Sequence, residues 1–181
     1  MYEYRPPASV GSLDPKPNAA ARTTLSRIMT TTDTNLHGNV HGGVIMKLVD
    51  DVGGAVAARH SGGRAVTVSM DEMVFLVPVN VGDLVHAHAQ VNWTGRSSME
   101  VGVRVVSERW DDSSTPTVHT GSAYLVYVAL DEGGNPRAVP PVVPETPKDR
   151  QRYREAEIRR QTRLARREAI LRLREQESDE R

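Results

Sequence analysis

The 181-residue chain has no cysteine. That excludes a disulfide framework and Cys-ligated zinc, and it suits a reducing compartment. Net charge is also missing: 23 Lys and Arg balance 23 Asp and Glu, so nothing global directs the chain to nucleic acid or to an anionic membrane. No stretch approaches the roughly 18 uninterrupted apolar residues of a membrane span, so none is expected. The opening, MYEYRPPASVGSLDPKP, lacks the basic and apolar regions of a signal peptide. Residues 1–21 are expected to be a flexible leader to a single globular domain, and the protein is expected to be cytoplasmic.

The neutral total hides an asymmetry. Residues 148–181 hold twelve Lys and Arg against eight Asp and Glu, an excess of four positive charges. Residues 1–147 therefore carry the opposite excess. The boundary PPVVPETP, Pro140 to Pro147, is rich in proline, and a linker is expected at 141–147. Beyond it, residues 148–181 contain no Gly or Pro and consist mostly of strong helix formers. Their thin apolar stripe, Tyr153, Ile158, Leu164, Ile170, Leu171 and Leu173, reads as a solvated, partly frayed helix. The alternative is a helix packing on a neighbouring subunit or an acidic partner.

Between these ends the hydrophobic period changes. From Val44 to Ala58 apolar residues fall at 44, 45, 48, 49, 52, 55 and 56, close to the helical 3.6. After HSGGR the period becomes two. Val66, Val68 and Met70 share a face, and Val85, Ala87, Ala89, Val91 and Trp93 share another. Met99, Val101, Val103 and Val105 follow, and then Tyr124, Val126 and Val128 within the run 118–128. Turn residues at Asn80–Asp83, Thr94–Arg96 and 111–116 separate the runs. TTLSRIMT, before the helix, supplies a first strand. One strand, one apolar helix and about four long strands on short loops predict an α+β fold. An antiparallel meander would cover its apolar face with that helix and wrap it on most sides.

Two adjacent carboxylates, Asp50 and Asp51, interrupt this helix. At 100° per residue they point in different directions. One reading places both at a solvated edge, with Asp50 paired to Lys47. The other notes how little solvated face KLVDDVGGAVAA offers, and there a carboxylate needs hydrogen bonds and has a displaced pKa. Such an acid is a candidate general base. Gly42 and Gly43 precede it at the expected helix start, where N–H groups lack intrahelical partners and could receive a developing oxyanion. Asn35 adds an uncharged donor and acceptor in the same loop.

DTNLHGNVHGGVIMKLVDDVGGAVAARH, GRAVTVSMDEMVFLVPVNVGDLVHAHAQV and GRSSMEVGVRVVSE resemble the single-hotdog acyl-CoA thioesterases, over residues 22–140. These are bacterial hydrolases related to the cytosolic brain-type acyl-CoA hydrolases of animals. The most specific part is D-x-N-x-x-G-x-x-x-G-G-x-x-M-x-x-x-D, matched by Asp33, Asn35, Gly38, Gly42, Gly43, Met46 and Asp50. The resemblance implies the hotdog fold, with sheet wrapped around one central helix, and hydrolysis of acyl-CoA to free acid and coenzyme A. Asp50 would be base or nucleophile, and Asn35 would come from the partner subunit. Gly42 and Gly43 would serve the substrate carbonyl. Arg96, Ser97 and Ser98 would bind coenzyme A, since Arg pairs well with phosphate. It further implies a homodimer with shared active sites, assembled as a trimer of dimers, no cofactor and no metal.

The sequence departs from the family at His41, where an aromatic residue commonly precedes the Gly-Gly. A loop His is usually a spectator, and His60, His86, His88 and His119 complete no recognisable ligand set. A hotdog hydratase would need a paired His and Asp that the sequence lacks. A non-catalytic acyl-CoA sensor is the remaining alternative, and the presence of both Asn35 and Asp50 speaks for catalysis.

Overall fold

The computed structural model describes residues 13–112 and 114–179. Of the expected leader, residues 1–12 lie outside this range. The chain runs β1 (Lys16–Pro17), β2 (Thr23–Ile28), α1 (Gly42–Ser61), β3 (Ala65–Phe75), β4 (Asp83–Thr94), β5 (Ser98–Arg109), β6 (Val118–Ala129), β7 (Val142–Val143) and α2 (Pro147–Asp179). β2–β4–β5–β6–β3 form one antiparallel sheet with β2 and β3 at its edges. β1 and β7 pair in parallel beside it.

α1 forms where the 3.6 period predicts a helix. The His41 ring caps its start and Gly62, at φ 72°, ends it in the left-handed region. Ile45, Leu48, Val49, Val52 and Val56 are buried against Val85, Ala87 and Val91 of β4, Val101, Val103 and Val105 of β5, and Leu125 of β6. Each fully buried valine of this layer contributes about 1.5–3 kcal/mol.

The wrapping is one-sided. The sheet covers one face of α1 and leaves Met46, Lys47, Asp50 and Asp51 exposed. Three strands also differ from the simple alternation. A register shift between Val91 and Trp93 turns Trp93 off the inner row, and its ring lies under Arg160 of α2. On β6 the inner face belongs to Ala123, Leu125 and Tyr127; Tyr124, Val126 and Val128 take the other parity, with Tyr124 under Arg159 of α2. On β3, shifts between Thr67 and Ser69 and between Met70 and Glu72 break the Val66–Val68–Met70 row.

The charged tail is fastened along its first half. Asp149 is buried and bound by Arg22, Arg159 pairs with Glu100 at 2.6 Å, and Arg163 pairs with Asp71. α2 thus lies on the outer face of the sheet, opposite α1.

Candidate active site on the open face of α1

The two helix carboxylates have different fates. Lys47 Nζ reaches Asp51 Oδ2 at 2.7 Å, an exposed i,i+4 pair. Asp50 has no link to Lys47. Its Oδ1 accepts from Thr67 Oγ1 at 2.7 Å, and the Tyr127 hydroxyl stands 3.1 Å from both Asp50 Oδ1 and the Asp50 carbonyl oxygen. Burial pushes the Tyr127 phenol up, and the Asp50 carboxylate beside it pushes the same way. The hydroxyl therefore stays protonated and donates. Asp50 Oδ2 has no partner among the described residues, and Asp50 lies on the exposed side of α1. In a single chain, then, Asp50 is a surface carboxylate with one oxygen held, rather than an acid enclosed by apolar walls.

Gly53 makes room for this arrangement. A Cβ there would run into the Tyr127 hydroxyl, so glycine is what lets the phenol reach the backbone of the helix. Thr67 sits beside the first register shift of β3, which helps set where its side chain points.

The start of α1 is built separately. His41 Nδ1 accepts from the Gly43 N–H at 2.9 Å, so that amide is already occupied, and a Cβ at 43 would crowd the same ring at 3.1 Å. The Gly42 N–H has no partner among the described residues. Asn35 Oδ1 accepts from the amides of His37 at 2.8 Å and Asn39 at 3.3 Å. These bonds shape the loop, and Asp33 anchors it from behind. Amide and hydroxyl bonds from Thr30, and Arg27 at 2.6 Å, hold that carboxyl below the usual range despite burial. Asn35, Gly42, Ile45 and Phe75 share a cleft of about 320 Å³. Asp50 is not among its walls; eight residues further along α1, it stands about 12 Å up the axis from Gly42.

Arg96 is exposed in the β4–β5 turn, its guanidinium without a partner among the described residues. Backbone bonds fix the turn: Gly95 N–H to Ser98 O at 2.8 Å, Val139 N–H to Arg96 O and Ala129 N–H to Ser97 O, both at 3.0 Å. A larger groove, about 990 Å³, lies on the outer face among His86, His88, Arg104, His119 and the start of α2. It includes none of Asn35, Asp50 and Arg96, and its histidines are engaged locally. His86 is bonded to Ser26 and Glu108, His88 to Thr24, and His119 to Gly121 O and Ser122. Among the described residues no group of three or more His and carboxylate side chains is placed to hold a metal.

Three comparisons bear on this geometry. The thioesterase superfamily model matches residues 37–110. An acyl-CoA thioester hydrolase of Buchnera aphidicola is 36% identical over 132 residues, 71% of this chain and 97% of that protein. The chain belongs to the thioesterase superfamily. The cytosolic acyl coenzyme A thioester hydrolase of Mus musculus is 37% identical over 149 residues, 81% of this chain. That match spans only 39% of the mouse protein's length. A solved hexameric acyl-CoA thioesterase superposes with a TM-score of 0.81 at 33% identity, covering 84% of this chain and 97% of that one. The helix-on-sheet frame is thus the hotdog fold of the thioesterases.

The superfamily match takes in Gly42, Gly43, Asp50, Thr67 and the Arg96 turn, and leaves Asn35 and Tyr127 outside. Thr67 and Tyr127 are the two members of the constellation that sequence reading missed. Thr67 lies in the quoted run GRAVTV, where it read as strand. Tyr127 was hidden by the parity of β6.

Proposed function

We propose that the protein hydrolyses acyl-CoA thioesters, with Asp50 as general base. The observation that carries this is the Asp50 carboxylate itself: Thr67 and Tyr127 hold one oxygen, and the other is open. A carboxylate so oriented takes a proton from water through Oδ2. The resulting hydroxide attacks the thioester carbonyl carbon, whose oxygen becomes an oxyanion. The donor for that charge is the unpartnered Gly42 N–H of a second copy, because Gly42 of the same chain stands about 12 Å from Asp50 and the Gly43 amide is tied to His41. The C–S bond then breaks, and coenzyme A leaves as the thiol with the proton returned from Asp50. Water is the only co-reactant. Arg96, flanked by Ser97 and Ser98, meets the phosphates of coenzyme A, and this charge-assisted contact acts on binding rather than on the bond cleaved.

The complete site lies between two copies. Within one chain Asn35 lines a cleft that Asp50 does not reach. The edge strand β3 offers unpaired backbone together with exposed Val68, Val74 and Phe75, continued by Leu76 and Val77. Such an edge is a template for a second chain. Pairing β3 with the partner's β3 covers this patch and the open face of α1, and it brings Asn35 of one copy to Asp50 of the other. Dimers so formed assemble further as a trimer of dimers. The enzyme works in the cytosol, the compartment that the mouse relative's name gives for that protein.

Two inactive variants test both parts. Asp50→Asn and Asn35→Ala should each lower acyl-CoA turnover by about 10²-fold or more. Co-refolded in equal amounts they give half heterodimers, each with one intact site, and activity should return to about a quarter of the parent level. No recovery despite subunit exchange would mean that one chain supplies both residues. Binding of acyl-CoA by the parent without release of thiol would mean a sensor instead of an enzyme.

A further inference from the structure

α2 crosses the outer face of the sheet strand by strand and then runs past its edge. Near its start, Asp149 accepts from Gln90 of β4. Further on, Arg159 binds Glu100 of β5 and lies 3.6 Å from the centre of the Tyr124 ring of β6. Arg163 then meets Asp71 of β3, the last strand. From Asp149 to Arg163 the helix advances about 21 Å over three strand spacings of about 4.8 Å, so it runs obliquely. From Arg163 to Gln176 it advances about 20 Å more, and no strand of its own sheet remains beneath it.

The face that grips the sheet does not stop at the edge. At 100° per residue, Ala156, fully buried, shares a stripe with Arg159 and Arg163, and that stripe continues through Arg167 to Ile170 and Leu171. Ile170 and Leu171 are 43% and 45% exposed. The face that grips the sheet through arginines thus ends in two exposed apolar side chains, Ile170 and Leu171, over a length for which this chain provides no floor. Ile158, on the far side of the helix, points to solvent at 62% exposure.

We propose that the overhanging half of α2, residues 164–176, docks on the outer sheet face of a second copy of this chain. The proposal rests on the β3-to-β3 dimer described above. In that dimer the sheet continues across the seam at the strand spacing α2 has already crossed, so the overhang meets the partner's β3 and then its β6. Two-fold symmetry lays the two α2 helices antiparallel on the joined face. The charges agree with this placement. The overhang carries Arg166, Arg167, Arg172 and Arg174 against Glu168 and Glu175, while β3 presents an exposed Glu72 at the seam, Asp71 beside it being taken by Arg163. α2 is then a strap across the interface whose opposite face holds the active sites.

The test compares Ile170→Gln/Leu171→Gln with Ile158→Gln in the full-length chain; glutamine keeps helix propensity in each. Sedimentation over a dilution series gives the dimer dissociation constant, and hydrogen exchange follows the amides of 166–176. The double variant should weaken the dimer at least tenfold and Ile158→Gln should leave it unchanged. In the parent, protection of 166–176 should fall on dilution as the dimer dissociates. A double variant that dimerises like the parent overturns the docking and leaves the dimer standing. A variant that loses only assemblies larger than the dimer overturns it too, by placing the overhang between dimers. A parent chain monomeric at every concentration overturns both.

Discussion

The two helices lie on opposite faces of one sheet and are held by different physics. α1 is attached by apolar burial, with Val49, Val52 and Val56 fully enclosed. α2 has Ala156 as its only buried apolar residue among those described. It is tied down by ion pairs of Arg159 to Glu100 and Arg163 to Asp71, by Arg22 to Asp149, and by two arginines over Tyr124 and Trp93. Apolar burial is non-directional and tolerates a polar exception on the open side, so α1 can carry Asp50. Ion pairs are directional, and the partner of each must stay. Substitutions should therefore be felt through neighbours on α2 and through orientation on α1.

The largest effect should come from α2. Glu100 is 2% exposed and is held by Arg159 and Asn92. Burial works against the Arg159 charge, but the Glu100 contacts prevail and raise its pKa. Arg159→Met leaves a buried carboxylate without its cation and should cost about 3–5 kcal/mol, read by urea unfolding. Replacing both, Glu100→Leu with Arg159→Met, should recover most of that loss. If the double variant is no better than the single, the attachment is not ionic and the contrast between the helices fails.

On α1 the corresponding change acts on chemistry. Tyr127→Phe keeps the ring in the core and removes the donor to Asp50. A hydrogen bond to a charged group is worth about 1.5–3 kcal/mol, so kcat/KM should fall roughly 10- to 100-fold with little change in melting temperature. A fall in stability without a fall in rate would make Tyr127 a packing residue only.

How far the sequence reached follows the same division. The period of 3.6 from Val44 to Ala58 and the alternation of Val85 to Val91 and Met99 to Val105 are direct images of burial, and both were legible. What escaped depended on register. A bulge after Val91 turned Trp93 outward, and a one-residue difference in parity on β6 exchanged Tyr124 for Tyr127 on the inner face. Tyr127, the neighbour of Asp50, was lost with it. α2 was legible as a helix. Its docking was not, because Glu100 and Asp71 look like ordinary strand surface until the strands are ordered. Asp50 and the Gly-Gly before it stood out because they break the apolar pattern. That Asn35 and Asp50 lie apart in one chain is a fact of geometry that no local pattern carries.

A smaller effect is expected at the far end of α1, where His60 is 1% exposed. Burial holds its pKa below 6.5, opposed by the bond between Nε2 and Pro140 O at 2.9 Å. Its folded form resists the proton and the unfolded chain accepts it below about 6.5. Stability should therefore be full at neutral pH and decline as pH falls through 6.5, until the lower folded pKa is reached. The slope from this one group is at most about 1.4 kcal/mol per pH unit. His60→Gln, whose amide can still donate to Pro140, should flatten the decline between pH 7.5 and 5.5 and leave the part due to His88, whose pKa is also lowered by burial. An unchanged slope would place the titration elsewhere.

The smallest effect separates the two adjacent carboxylates of α1. Asp51 makes only the exposed pair with Lys47, with side chains 49% and 72% accessible. Exposed i,i+4 pairs are worth about 0.3–0.5 kcal/mol. Asp51→Asn should cost no more than that and should leave turnover within about twofold of the parent, because it touches neither Thr67 nor Tyr127. Asp50→Asn alters the other side of the same helix turn, where those two hydroxyls hold the carboxylate. Measuring both variants on one acyl-CoA fixes the phase of the helix relative to the chemistry. A larger loss of turnover at Asp51 would mean that in the assembled enzyme the working face of α1 is rotated by one residue from the one described here.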